Sequence, residues 1–319
     1  MITFGPVPSR RLGRSLGIAN VPPKTCSYSC IYCQVGPKPD KQMTPRPFCA
    51  PEEVAQAVED HIRSLSSAGE TIDYLTFVPD GEPTLDVNLG RSIRLLRGLG
   101  IPVAVISNAS LLWQEPVRES LQEADWVSLK VDSVHEPAWR RVNRPHPELR
   151  LETVLEGLSA FARMYRGTLT SETMLVEEVN DSDERVGEVA RYIATLRPAA
   201  SYLLVPIRPP AVESVRAPAE ERLNRAFQVF SEAGLKTECL TGFEGDAFSS
   251  TGDARRDLLS ITAVHPMREE SVRELLGKTG SDWGVVQALL NDGSLRECRY
   301  QDRTFYVRAY PRVAGQDTC

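Results

Sequence analysis

Between residues 15 and 240 short apolar runs alternate with longer runs whose apolar residues recur at helical spacing, and this limits the fold more than any other feature. Strands are read at 15–20, 72–78, 103–106, 126–131, 169–176 and 202–207. Helices are read at 52–65, 91–96, 115–122, 151–165, 183–196 and 218–233. A strand followed by a helix pairs in parallel with the next strand, because the crossover carries the chain back over the sheet. Six such units make an incomplete (β/α)6 barrel more naturally than a closed barrel of eight, and 236–240 reads as an extra strand. The expected class is α/β, with functional loops at the carboxyl ends of the strands.

The loop after the first strand carries Cys26-Ser-Tyr-Ser-Cys30-Ile-Tyr-Cys33 and runs on to about Pro51. Three soft thiolate donors this close together can face one metal centre, and both iron–sulfur clusters and zinc favour such donors. A structural zinc site is nearly always closed by four protein ligands, whereas this loop offers three and no His at a zinc-finger offset. The other cysteines, Cys49, Cys239, Cys298 and Cys319, are far apart, so the seven do not form a disulfide framework.

Later loops add polar groups. Asp80-Gly81-Glu82-Pro83-Thr84-Leu85 follows the second strand: Gly81 permits close backbone approach and Glu82 supplies a countercharge, although a plain turn would use the same residues. Ser107-Asn108 follows the third strand, offering a hydroxyl and an amide to a ligand or, equally, an Asx cap to the next helix. In the fourth strand Lys130 and Asp132 share one face. They are candidates for anion binding or proton transfer, against an ordinary ion pair with each other or with a Glu. Glu172 and Met174 alternate in the same way in the fifth strand, and Val205-Pro206-Ile207-Arg208-Pro209-Pro210 should leave the sheet sharply after the sixth. His61 reads as structural. His135 and His146 flank what reads as a long loop, containing Asn143-Arg144-Pro145, that would roof the site.

The cysteine nonapeptide resembles the cluster loop of the radical S-adenosylmethionine superfamily. That resemblance implies a 4Fe-4S cluster on Cys26, Cys30 and Cys33, with Tyr32 in the place of the aromatic residue beside the nucleotide. It implies S-adenosylmethionine held with help from Gly81, Glu82, Ser107, Asn108, Asp132 and Glu172, and split by one electron to a 5′-deoxyadenosyl radical. With Pro6-Val7-Pro8-Ser9-Arg10-Arg11-Leu12-Gly13-Arg14 and Asn143-Arg144-Pro145-His146, the chain is similar over about residues 1–245 to a subgroup akin to the tRNA wyosine synthases. No cysteine precedes Cys26 to build the second cluster of those enzymes, so their pyruvate chemistry is not carried over. The resemblance also implies an electron donor such as flavodoxin or ferredoxin. The substrate would be a tRNA base, a peptide or a small metabolite.

The three arginines of the opening segment suit phosphate or carboxylate recognition, or ion pairs closing the barrel edge. Residues 255–312 read as three short helices and a hairpin, a winged-helix-like domain after a barrel of residues 1–250, with a tail at 313–319. The hairpin region holds Arg296, Arg299, Arg303, Arg308 and Arg312 against Glu297 and Asp302. Such a wing can bind nucleic acid, bind peptide or pack on its own barrel. It also leaves a metal-sensing transcriptional regulator as a rival to the enzyme, one that would have no need of the Gly81-Glu82 segment. The formal charge of −6, from 37 basic and 43 acidic residues, excludes nucleic-acid or membrane binding by bulk charge. With no apolar run near the ~20 residues of a membrane span, the expected location is cytoplasmic.

Overall fold

The computed structural model describes residues 2–36, 41–67, 69–240, 248, 250–264, 266–300 and 302–309. Strands β1 (Thr3–Ser9) and β2 (Gly13–Ile18) precede α1 (Pro51–Ser67), β3 (Tyr74–Phe77), α2 (Leu89–Arg97), β4 (Val103–Ser107), α3 (Glu115–Gln122) and β5 (Trp126–Lys130). Then come α4 (Glu136–Asn143), α5 (Leu151–Met164), β6 (Thr168–Met174), α6 (Asp183–Leu196), β7 (Ala200–Leu204), α7 (Glu220–Glu232) and β8 (Thr237–Leu240). The eight strands form one curled sheet in chain order, a half-barrel. β2 to β8 run parallel and β1 lies antiparallel on the edge beside β2.

The six expected strands and six expected helices are all present, and 237–240 is a seventh parallel strand. Their causes are local. In α1, Val54, Val58 and Leu65 fall on one buried face, and Glu52 and Glu53 occupy the first turn, where carboxylates suit the helix dipole. Ser182 caps α6 by accepting from Arg185 N.

Two elements of the half-barrel depart from expectation. β1 was not anticipated, because Pro6 and Pro8 remove ladder donors; an edge strand tolerates that loss. Phe4 lies directly over Gly17, where an added Cβ would stand 2.1 Å from its ring, so only glycine fits. The stretch between His135 and His146 is not a long loop but holds α4, whose Pro137 sits in the first turn, where its missing N–H costs nothing.

The β1–β2 turn closes the barrel floor. Leu12 is buried with Ala104, Trp126, Ala200 and Tyr202, at the amino-terminal ends of β4, β5 and β7. Of the opening arginines, Arg11 forms an ion pair with Glu172 inside the barrel. Arg14 stays at the surface, 3.7 Å from Asp73.

After β8 the chain forms α8 (Ala254–Val264), β9 (Met267–Arg268), α9 (Glu269–Thr279), α10 (Gly284–Asn291), β10 (Leu295–Tyr300) and β11 (Arg303–Arg308). A three-stranded antiparallel sheet in the order β10-β11-β9 and three helices give a winged-helix-like arrangement. Its core, including Leu258, Ile261, Val272, Leu275, Leu289 and Tyr306, is separate from the barrel core, yet Val7 of β1 packs against it. Arg312 and the tail at 313–319 lie outside the described residues. No helix among those described is long and apolar enough to cross a membrane.

Candidate iron–sulfur site

The cysteine loop rests on α4 and the residues just beyond it. Ser29 N and Ile31 N donate to Asn143 O and Val142 O, each at 3.0 Å, and His146 N donates to Ser27 O at 2.9 Å. Arg144, in the left-handed region with φ 47°, ends α4 and turns the chain so that Pro145 bridges to Tyr28. Trp139 Nε1 donates to Tyr28 Oη at 3.1 Å. The segment expected to roof the site is therefore the bed on which the thiols are laid.

Two side-chain amides reach the thiols: Asn108 Nδ2 lies 3.5 Å from Cys26 Sγ, and Asn143 Nδ2 lies 3.5 Å from Cys30 Sγ. Burial, reinforced by Asp132, pushes the Cys30 thiol up to about 12. Such a thiol ionises when a metal displaces its proton. No three His, Cys, Asp or Glu side chains among the described residues converge on a single ion. Zinc gathers every ligand around one centre at ~2–2.3 Å, whereas a cluster gives each thiolate an iron of its own. Three thiols on one cavity, with amide N–H donors 3.5 Å from two of them, suit a cluster, whose sulfurs accept such hydrogen bonds.

Gly81 brings the segment after β3 onto the start of the cysteine loop. An added Cβ would lie 2.1 Å from Thr25 O, the atom that accepts from Glu82 N at 2.8 Å. Glu82 is buried, and its Oε1 accepts from Thr84 Oγ1 (2.6 Å), Ser107 Oγ (2.7 Å) and Thr84 N (3.1 Å). Among the described residues its Oε2 accepts only from Asn108 N, at 2.7 Å, and keeps capacity for a further donor. Burial raises the acid's pKa, and these bonds work against the rise. Ser107 and Asn108 thus join the β3, β4 and cysteine loops, with Asn108 Nδ2 also donating to Ser27 Oγ at 2.9 Å.

Lys130 and Glu172 lie at the carboxyl ends of β5 and β6. Lys130 Nζ is 3.6 Å from Glu172 Oε2 and 5.3 Å from the centre of the Tyr32 ring. Glu172 also pairs with Arg11 and accepts from Ser128 Oγ at 2.8 Å. Burial would raise the Glu172 carboxyl, but Arg11 and Lys130 outweigh it and hold the group below the usual carboxylate range. For Lys130, burial favours the neutral amine, and Asp132 with Glu172 reverses this, so the ammonium is held above its ordinary value. Lys130 is thus a buried cation that touches Glu172 and is held charged by Asp132 as well.

Asp132 is placed differently from the other candidates. Its carboxylate accepts from the Tyr32 hydroxyl, from Asn143 Nδ2 at 2.7 Å and from Met174 N at 2.8 Å. A cavity of ≈ 350 Å³ is lined by Cys26, Cys30, Cys33, Tyr32, Gly81, Glu82, Ser107, Asn108, Lys130 and Glu172. Asp132 is not on that lining and supports Tyr32 from outside it. Met174, Val205, Pro206, Ile207 and Arg208 complete the far wall. Sequence reading missed Asn143 as a thiol neighbour and Arg11 as the partner of Glu172; in neither case does residue spacing signal the contact.

A half-barrel bearing three thiols on the loop after its first parallel strand is the architecture of radical S-adenosylmethionine enzymes, and residues 20–190 match the model of the radical SAM superfamily. The chain is 44% identical over 309 residues to UPF0026 protein MJ1312 of Methanocaldococcus jannaschii, covering 96% of each chain. It therefore belongs to the radical SAM superfamily and, within it, to the UPF0026 family. It is also 24% identical over 243 residues to ribosomal RNA large subunit methyltransferase N of Nitrosopumilus maritimus, covering 73% of this chain and 66% of the other. Among solved structures, a radical SAM methyltransferase from Sphaerobacter thermophilus superposes with a TM-score of 0.56 at 18% identity, over 71% of this chain and 66% of that one. Members of the superfamily use a 4Fe-4S cluster with S-adenosylmethionine, and this chain is an enzyme of that class.

Proposed function

We propose that Cys26, Cys30 and Cys33 ligate a 4Fe-4S cluster and that the adjoining cavity holds S-adenosylmethionine. Together these would supply a 5′-deoxyadenosyl radical able to abstract hydrogen from a substrate. The observation that carries this reading is the convergence of the three thiols, Glu82, Ser107, Asn108, Lys130 and Glu172 on one cavity. Glu82 Oε2, with one bond made, offers its charge to the cofactor's ammonium. Ser107 and Asn108 hold Glu82 in place, and Gly81 lets the backbone come close. Tyr32, fixed by Asp132, presents a ring to the nucleoside, and Lys130 with Glu172 orients the ribose or a substrate anion.

The favoured substrate is an RNA base. The similarity to a ribosomal RNA methyltransferase supports an RNA substrate. We read residues 1–250 as the catalytic part and 255–312 as a substrate-binding part. A flavodoxin or ferredoxin would supply the electron, in a reducing, cytoplasmic setting. The deciding experiment is anaerobic reconstitution with iron and sulfide, then reduction with dithionite in the presence of S-adenosylmethionine, with Cys30→Ala as control. Formation of 5′-deoxyadenosine that depends on Cys30 supports the reading. Iron binding without the nucleoside, even with an alternative reductant and candidate substrates, overturns it and favours the regulator.

A further inference from the structure

The β10–β11 hairpin stands at the edge of the cavity. Tyr300 Oη donates to Pro206 O at 3.1 Å, and Pro206 and Arg208 line the far wall. Tyr300 pairs across the hairpin with Arg303, and Arg299 precedes it. Arg216, exposed on the loop after β7, acts electrostatically on the Tyr300 phenol, which burial holds above its usual range. Arg296, Arg299 and Arg303 are exposed and have no carboxylate partner among the described residues. Glu297, on the same hairpin, instead accepts from Tyr306 Oη at 3.4 Å. An acidic chain thus collects unneutralised guanidinium groups beside its reaction cavity.

The helices of the same unit exclude another partner. A winged helix that reads duplex DNA sends a helix into the major groove. α10 is Gly-Val-Val-Gln-Ala-Leu-Leu-Asn, without a cation, and α9 opens on Glu269 and Glu270. The positive charge is on the hairpin, and a base can enter a cavity of ≈ 350 Å³ only when out of its stack.

We propose that the hairpin arginines Arg299 and Arg303, with Arg216, grip the phosphates of a single-stranded stretch of RNA and lead one nucleotide past Tyr300 and Pro206 into the cavity. This rests on the radical SAM reading and names the surface that brings the RNA substrate to that site. The test is fluorescence anisotropy of a labelled single-stranded RNA oligonucleotide with the reconstituted enzyme at several salt concentrations, comparing wild type, Arg299→Ala/Arg303→Ala, and Arg94→Ala/Arg97→Ala on the remote helix α2. The hairpin variant should bind about ten-fold more weakly, and its log K against log salt slope should be shallower by about 1.4, ~0.7 for each lost contact to a single strand. The α2 variant should bind as wild type, and 5′-deoxyadenosine formation without RNA should be equal in all three. Absence of RNA binding by wild type, equal binding by the hairpin variant, or tighter binding of duplex or single-stranded DNA of matched length overturns the proposal. Failure of the radical SAM reading would appear separately, as RNA binding without the deoxynucleoside.

Discussion

Asn143 Nδ2 stands 3.5 Å from Cys30 Sγ while donating to Asp132 at 2.7 Å, so one amide at the end of α4 ties the cysteine loop to the end of β5. Its removal should be felt at both. Asn143→Leu leaves a buried carboxylate acceptor short of a donor, at a cost of about 1–3 kcal/mol. It should also lower the reduction potential of the reconstituted cluster, since hydrogen bonds to cluster sulfurs stabilise the reduced state. Chemical denaturation and electron paramagnetic resonance titration measure the two effects. An unchanged potential would detach Asn143 from the cluster.

Gly81→Ala places a methyl group where Thr25 O stands, 2.1 Å away, and so forces apart the segment after β3 and the start of the cysteine loop. A loss of about 1–3 kcal/mol is expected from overpacking. Iron content after reconstitution should fall as well, because Thr25 directly precedes the first thiol. Full iron loading in a destabilised variant would show that the two segments tolerate separation.

Glu172 is the buried countercharge of two cations, so Glu172→Gln should destabilise the fold by about 3–5 kcal/mol near neutral pH. The sign with pH follows from its lowered folded value. The carboxylate's contribution is fully present above the unfolded value of ~4.3 and is lost as pH falls through the folded one. The stability gap between wild type and variant, read from urea curves, should therefore narrow as the solution is acidified below that point. A constant gap would mean that the ion pairs contribute nothing.

His61 titrates in a different window. It is buried beside Thr3, whose Oγ1 lies 3.0 Å from Nδ1. Burial pulls the imidazole below its ordinary value, Arg256 adds to this and Asp257 opposes it. The neutral ring therefore stabilises the fold above the unfolded value of ~6.5, and the effect is lost as pH falls through the folded value. Between pH 7 and 5 the wild type should lose stability more steeply than His61→Asn. Parallel curves would rule out His61 as the source.

What could be read from the chain, and what could not, divides by range. β3 to β7 were visible because Leu75, Val103, Val105, Val127 and Leu169 lie in short apolar runs bounded by turn residues. The three thiols stand out because they crowd into one loop, and Glu82 stands out only through the resemblance that its segment carries, since alone Gly81-Glu82-Pro83 reads as a turn. β1 was hidden by Pro6 and Pro8, which argue against a strand unless its edge position is known. α4 was hidden by its flanks: Pro137 and Asn143-Arg144-Pro145 look like loop punctuation, yet they mark the first turn and left-handed end of a helix. Arg11 meets Glu172 across 161 residues, and Asn143 meets Cys30 across 113, and no local pattern encodes such meetings.

β1 has two loyalties, pairing with β2 in the half-barrel while Val7 packs into the core of the C-terminal unit. The two units of this chain therefore lean on one shared strand. A chain cut near residue 250 would leave Val7 facing water, and a graft onto another barrel would find no matching strand to rest on.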